Sequence, residues 1–364
     1  MDVQLLGTGG TEAWPRVGCP CARCGRGRTA GRSRGAALVV IDGKLRIGPT
    51  GPGSIGSPAP PGEGHQVVRI PGGWDVTAPD GGRLLAAAAP AGAVQPPDGA
   101  IQPPGGARPY DVALLDLTAD PFQLGELRRR GLIRPGTAVA AWYVDDRVPG
   151  EGELARRCAL WGASLPDDGD RLPGPVPLAA PPPARTLVIG GARSGKSGEA
   201  ELRLAGDAEV TYLATGATAD ETIDPDWARR VAAHRARRPP GWCSLESLDV
   251  AGVLRSISSG SVLIDGIGTW LAAVMGKCGA WDQPTASPAA EAGVAAAVDD
   301  LVAAWRQATA RVVAVSDETG SGVVPPTPSG RLFRDQLGQL NQRLAAESEE
   351  AVLVVAGRVV TLPT

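Results

Sequence analysis

Residues 186–201 read "TLVIGGARSGKSGEAE": an apolar, β-branched run, a turn with glycines at 190, 191 and 195, and then a polar segment able to form a helix. Gly190, four intervening residues, Gly195, Lys196 and Ser197 satisfy G-x-x-x-x-G-K-[ST], in the strand-to-helix context this spacing requires. Glycine lets such a turn curl without Cβ clashes. The N–H groups of Gly191, Ala192, Arg193, Ser194 and Gly195 can then converge on phosphate oxygens at a helix N-terminus. Lys196 would reach the β and γ oxygens, and the Ser197 hydroxyl would sit on Mg²⁺. Of 36 basic residues only three, at 44, 196 and 277, are lysine. A compact ammonium at 196, in a chain that otherwise uses arginine, suits a point charge against phosphate. The expectation is a nucleotide-binding loop.

Outward from the loop the pattern alternates. Strand-like runs fall at 186–190, 210–214 ("VTYLA"), 261–265 ("SVLID"), 311–315 ("RVVAV") and 351–355 ("AVLVV"), with helical patterns at 197–205, 225–237, 267–276, 289–309 and 330–347. Strands alternating with helices of this length predict βαβ units, a mostly parallel sheet and helices on both faces, with ligands at the carboxyl ends of the strands. Residues 164–185, "SLPDDGDRLPGPVPLAAPPPAR", are proline-rich without apolar periodicity and are expected to form an extended linker. This divides the chain into domains at 1–163 and 186–364. The Pro/Gly-rich stretches 49–66 and 87–109 offer few apolar residues to offset ordering entropy.

The whole chain, 364 residues with a net charge of −3, has no basic excess that would point to nucleic acid or an anionic membrane surface. No run approaches the ~20 apolar residues of a membrane span. The opening "MDVQLLGTGG" lacks the plan of a signal peptide, so a cytoplasmic location is expected. Six cysteines, three of them in "GCPCARC", do not make a secreted disulfide scaffold.

Chemistry concentrates around the loop. Asp265 closes the apolar run "SVLID" and can hold Mg²⁺ directly or through water. In "WARRVAAHRARRP", residues 227–239, His234 stands among arginines able to clamp phosphates. An imidazole can attack a phosphoryl centre and carry it covalently, and neighbouring arginines favour its neutral, nucleophilic form. These residues alone leave open a simple kinase in which His234 is a bystander, or a GTP-switch module.

Taken together, "GGARSGKS", "YLATG", "RVAAHRARRP", "LIDGIGTWLA", "VSDETGSGVVP" and "GRLFRDQLGQLNQRLA" resemble, in order, the bifunctional adenosylcobinamide kinase / adenosylcobinamide-phosphate guanylyltransferases of cobalamin assembly, over residues 186–362. The resemblance implies phosphorylation of adenosylcobinamide by ATP or GTP, followed by GMP transfer from GTP to give adenosylcobinamide-GDP and pyrophosphate. It implies His234 as the GMP-carrying nucleophile; many relatives have His-His where this chain has Ala233-His234. Gly190 to Ser197 match the nucleotide loop, Ala214, Thr215 and Gly216 a second nucleotide site, and Glu246 and Asp265 acidic positions beside it. Relatives form homotrimers, which implies an oligomer here.

The N-terminal half resembles metallo-β-lactamase-fold phosphodiesterases in "DVQLLGTGG", "GCPCARC", "YDVALLDL" and "TAVAAWYVDDRVP". A dinuclear site of that fold needs an H-x-H-x-D-H cluster, yet this half has one histidine, His65, and reads Tyr143-Val144-Asp145-Asp146 where such an element would stand. The expectation is a degenerate, non-hydrolytic αβ domain. Cys19, Cys21 and Cys24 could hold a structural Zn²⁺, with His65 or Cys158 as candidate fourth ligand.

Overall fold

The computed structural model describes residues 1–48, 51–52, 64–87, 108–147, 149–173, 181–216, 229, 232, 238–281 and 287–363. His234 and most of the helix expected over 225–237 lie outside the described residues, as do large parts of 49–66 and 87–109. Contacts divide the chain into two units: Met1–Pro182 with Ala205–Ala208, and Pro183–Leu204 with Glu209–Thr364.

The first unit comprises β1 Val3–Gly7, α1 Ala22–Thr29, β2 Leu38–Ile41, β3 Leu45–Gly48, β4 Gly51–Pro52, β5 Gln66–Ile70, β6 Gly73–Thr77, β7 Arg83–Ala87, β8 Val112–Leu115, α2 Phe122–Arg129, β9 Ala138–Ala141, α3 Glu151–Trp161 and β10 Arg171–Leu172. Two five-stranded sheets result, ordered β10-β1-β2-β3-β4 and β5-β6-β7-β8-β9. Val3, Leu5, Val39 and Ile41 of one share a core with Leu84, Val112, Leu114 and Trp142 of the other. Residues 164–172 differ from the expected linker. The Asp168 carboxylate accepts from Thr8 N at 2.8 Å and Gly35 N at 2.5 Å, Arg34 pairs with Asp167 at 3.2 Å, and β10 pairs with β1. Charge-assisted bonds to backbone donors override the proline-rich composition here. Residues 174–180 lie outside the described set.

The second unit comprises β11 Arg185–Gly190, α4 Lys196–Arg203, β12 Val210–Ala214, β13 Cys243–Glu246, α5 Val250–Ser256, β14 Ser261–Asp265, α6 Ile267–Lys277, α7 Pro288–Gln307, β15 Arg311–Asp317, α8 Pro328–Ala346, β16 Glu350–Val355 and β17 Arg358–Thr361. They build a seven-stranded sheet ordered β13-β12-β14-β15-β11-β16-β17, parallel except for β17. The expected α/β class is thus the observed one. Period-2 alternation along β11 sends Leu187 and Ile189 into a core with α5, α6, α7 and α8, and Val188 into the opposite core with Ala200 of α4. Helices therefore lie on both faces.

Three elements were not anticipated. All four residues of β13 are exposed at the sheet edge, so it carries no apolar pattern. The α5 helix is short and capped by Asp249, whose side chain accepts from Gly252 N. The β16–β17 hairpin turns on Ala356 and Gly357, both at positive φ (49° and 70°), without an Asn-Gly signature.

A buried ion triad fixes α4 against the sheet. Arg203, 1% exposed, donates to Glu199 one turn earlier at 2.9 Å and to Glu350 at the start of β16 at 2.5 and 3.1 Å. Removing the cation takes a charge-assisted partner from two acids that are wholly or partly withdrawn from water. Arg203→Leu is expected to cost about 3–5 kcal/mol in urea unfolding of this unit; an unchanged midpoint would contradict the role given to the triad.

Candidate active site

The β11–α4 connection and the β15–β16 connection leave adjacent strands in opposite directions, on opposite faces of the sheet. A crevice at the carboxyl ends of β11 and β15 follows from this topology, and the glycine-rich loop occupies it. Parallel register places Gly190 opposite Asp317, and Ala214 opposite both Asp265 and Glu246. Residues far apart in the chain thereby share one edge.

The loop's curvature needs its glycines. A Cβ at Gly190 would meet Ser194 Oγ at 2.5 Å and the Val354 carbonyl oxygen at 2.7 Å. Arg193 (φ 57°) and Gly195 (φ 100°) both sit in the left-handed region, which turns successive N–H groups inward as an anion nest. Gly357 N donates to Ser194 O at 2.8 Å, and Glu318 N to Gly190 O at 3.1 Å, so neighbouring strands brace the loop. Ser194 Oγ is buried with no hydrogen-bond partner among the described residues, a polar atom that a phosphate oxygen would satisfy.

Lys196 opens α4, its Nζ 3.0 Å from Asp317 Oδ1 and 3.3 Å from Gly191 O. Ser197 Oγ donates to Asp265 Oδ1 at 3.3 Å. The other Asp265 oxygen accepts from the Tyr212 hydroxyl. Burial first, and then the Asp265 charge, push the Tyr212 phenol well above its ordinary range, so it remains a donor. A hydroxyl and a carboxylate at this separation form a hard, oxygen-only donor set, which suits Mg²⁺. Thr215, 1% exposed, donates to Gly266 O at 2.5 Å and lies 3.0 Å from Thr269 Oγ1, tying the end of β12 to the β14–α6 turn.

The expected residues Gly190 to Ser197 and Asp265 therefore meet. Ala214 and Glu246 stand in the same row by register, with Glu246 exposed on the edge strand, and Gly216 follows Thr215 directly. Nothing can be added for His234, which lies outside the described residues. Sequence reasoning missed Asp317 and Tyr212. Asp317 closes "RVVAVSD" just as Asp265 closes "SVLID", a parallel that could have flagged it. The strand-end Ser316, fully buried, donates to Asn341 Oδ1 at 2.6 Å, and Asn341 Nδ2 donates to Asp317 O at 3.1 Å, holding this end of β15 against α8.

In the first unit, ligand atoms of Cys19, Cys21, Cys24 and Asp146 all lie within 4.8 Å of one another. The expected fourth partners are elsewhere. His65 Nε2 lies 2.9 Å from Asp42, and Cys158 is buried on α3 with its thiol pushed up to about 12 by desolvation. Cys21 caps α1 and accepts from Cys24 N at 3.4 Å; that bond lowers its pKa, while burial raises that of Cys24. Asp146 thus completes the cluster from the "YVDD" segment. Its neighbour Asp145 pairs with Arg147 at 2.8 Å, and the same guanidinium reaches the buried Asp116 at 2.8 Å.

The profile of the cobinamide kinase / cobinamide phosphate guanyltransferase family matches residues 186–362. The chain is 35% identical over 178 residues to the bifunctional adenosylcobalamin biosynthesis protein CobU of Salmonella typhimurium, covering 47% of this chain and 95% of that one. It is 35% identical over 180 residues to the Escherichia coli protein of the same name, again 47% and 95%. The bifunctional adenosylcobalamin biosynthesis protein CobP of Pseudomonas aeruginosa is 36% identical over 178 residues, covering 48% and 94%.

No helix among the described residues is long and apolar enough to cross a membrane. Gly190→Ala forces the loop off its backbone and side-chain neighbours. The displaced loop is expected to weaken triphosphate binding, with far-UV circular dichroism unchanged. Parental affinity in calorimetry would contradict the loop's role.

Proposed function

Because residues 186–362 make this chain a member of the cobinamide kinase / cobinamide phosphate guanyltransferase family, we propose that one edge of the sheet serves both reactions, with the residues assigned as follows. The observation that carries the assignment is the convergence of the glycine loop, Lys196, Ser197 and Asp265 at one sheet edge. In the first reaction the aminopropanol hydroxyl of adenosylcobinamide attacks the γ-phosphorus of ATP or GTP. The O–P bond forms as the bond to the departing nucleoside diphosphate breaks, and the hydroxyl proton is released. The loop amides and Lys196 hold the phosphates in line and stabilise the charge that develops. Ser197 and Asp265 would hold Mg²⁺, which when bound spreads the phosphate charge.

In the second reaction His234 attacks the α-phosphorus of GTP and releases pyrophosphate. The phosphate of the corrinoid then displaces the imidazole, giving adenosylcobinamide-GDP and restoring His234. Ala214, Thr215, Gly216 and Glu246 form the second nucleotide site; the register row of Ala214 and Glu246 with Asp265, and the Thr215 bond to Gly266 O, support this. Assembly as a homo-oligomer, with a trimer by resemblance to the family, and a cytoplasmic location complete the reading.

The first unit is proposed to be a degenerate metallo-β-lactamase-like domain without hydrolytic activity. Support comes from Arg147, whose guanidinium pairs with Asp116 and with Asp145, the latter in the stretch that stands where an H-x-D-H element would be expected. Three thiolates and one carboxylate match a closed tetrahedral Zn²⁺ set, so Cys19, Cys21, Cys24 and Asp146 are assigned a structural zinc.

His234→Ala is expected to abolish formation of the GDP-corrinoid while phosphorylated corrinoid still accumulates; retention of both products would remove His234 as the nucleophile, and a parent that makes only phosphorylated corrinoid would return the simpler kinase reading. Elemental analysis of the purified chain is expected to find one zinc per molecule, absent from Cys21→Ser, whereas a metal-free parent would contradict the zinc assignment.

A further inference from the structure

An alcohol that attacks phosphorus must give up its proton, and a positioned side chain can take it. Glu246, Asp265, Asp317 and Glu318 stand at or just past strand ends on the loop's edge of the sheet. Three of them are engaged or remote. Asp265 accepts from Ser197 on one carboxylate oxygen and from Tyr212 on the other. Glu318 turns back on its own loop, where Oε1 accepts from Gly320 N at 2.7 Å and from Ser321 N at 3.1 Å. Glu246 is exposed on the edge strand, with β12 and β14 between it and β15. Asp317 differs from all three. Register puts it opposite Gly190, where the loop begins, and its Oδ1 lies 3.0 Å from Lys196 Nζ. Its side chain is 39% exposed, so a substrate can reach it. Its Oδ2 accepts no hydrogen bond among the described residues. That oxygen lies over the first turn of α6, where a Cβ at Gly268 would meet it at 2.6 Å. Only the missing side chain at 268 leaves the carboxylate its place.

Resting on the family reading above, we propose that Asp317 is the catalytic base of the phosphorylation step. The alcohol oxygen of adenosylcobinamide bonds to the γ-phosphorus as the bond to the departing nucleoside diphosphate breaks. The hydroxyl proton passes to Asp317 Oδ2 and from there to water. A carboxylate suffices, because the proton becomes acidic as the new O–P bond forms; an aspartate has this task in protein kinases. Lys196 keeps the acid compatible with a triphosphate. Its ammonium has three N–H donors, so it can hold Oδ1 and a phosphate oxygen together and offset their repulsion.

Asp317→Asn keeps the size of the side chain and an oxygen that can accept from Lys196, but it cannot take a proton. Phosphorylation of adenosylcobinamide at saturating ATP and Mg²⁺ is expected to slow about 100-fold or more. Calorimetry with a non-hydrolysable ATP analogue is expected to show affinity no weaker than the parent's, and the Mg²⁺ concentration for half-maximal rate is expected to stay the same. Gly268→Ala, favourable within a helix, pushes the carboxylate aside without removing it. It is expected to slow the same step, and it carries the test should Asp317→Asn fail to fold. A parental rate in Asp317→Asn, or in Gly268→Ala where that variant stands in, would overturn the proposal. So would a slow rate matched by an equal loss of nucleotide affinity, which makes Asp317 a partner of Lys196 alone. A rate restored by high Mg²⁺ would overturn it too, as the mark of a metal ligand. A parent that phosphorylates no corrinoid contradicts the family reading itself, and the proposal with it.

Discussion

Parallel pairing in register is the constraint on which the site depends. It puts Gly190 beside Asp317 and Ala214 between Asp265 and Glu246, so that loop, lysine, serine and acids meet although they are spread over more than a hundred residues. A one-residue slip of β14 would turn the Asp265 side chain to the other face of the sheet and away from Ser197. The buried supports follow the same logic. The Arg203 triad fixes α4 behind the loop, and the Ser316–Asn341 pair fixes the strand end that carries Asp317.

That arrangement explains how one edge can serve two phosphoryl chemistries. Phosphate charge is met by the nest of amides and by Lys196, neither of which depends on which phosphorus is attacked. In the proposed scheme what differs is the nucleophile: a substrate hydroxyl in one case, the imidazole of His234 in the other.

Much of this was legible before the structure. The loop spacing, the five principal strands and Asp265 all announce themselves through local pattern, because buried parallel strands are apolar runs and glycine marks the turn. Tyr212 was hidden because a tyrosine within a β-rich run reads as core, and only the register reveals that its hydroxyl reaches Asp265. Strand β13 was hidden because an exposed edge strand has no apolar signature. In the first unit, "CPCARC" marked the three clustered thiols, but Asp146 enters the cluster from a segment more than a hundred residues away, which spacing cannot encode. The proline-rich reading of 164–172 failed because composition does not register the hydrogen-bonding capacity of Asp167 and Asp168.

The account stands or falls on a covalent histidine. The chain would be incubated with α-labelled GTP and Mg²⁺, denatured, digested, and the labelled peptide mapped. The account predicts label on His234, lost in mild acid and retained in alkali as a phosphoramidate must be. Absence of label on a chain that still phosphorylates the corrinoid, or label on a hydroxyl-bearing residue, would contradict it.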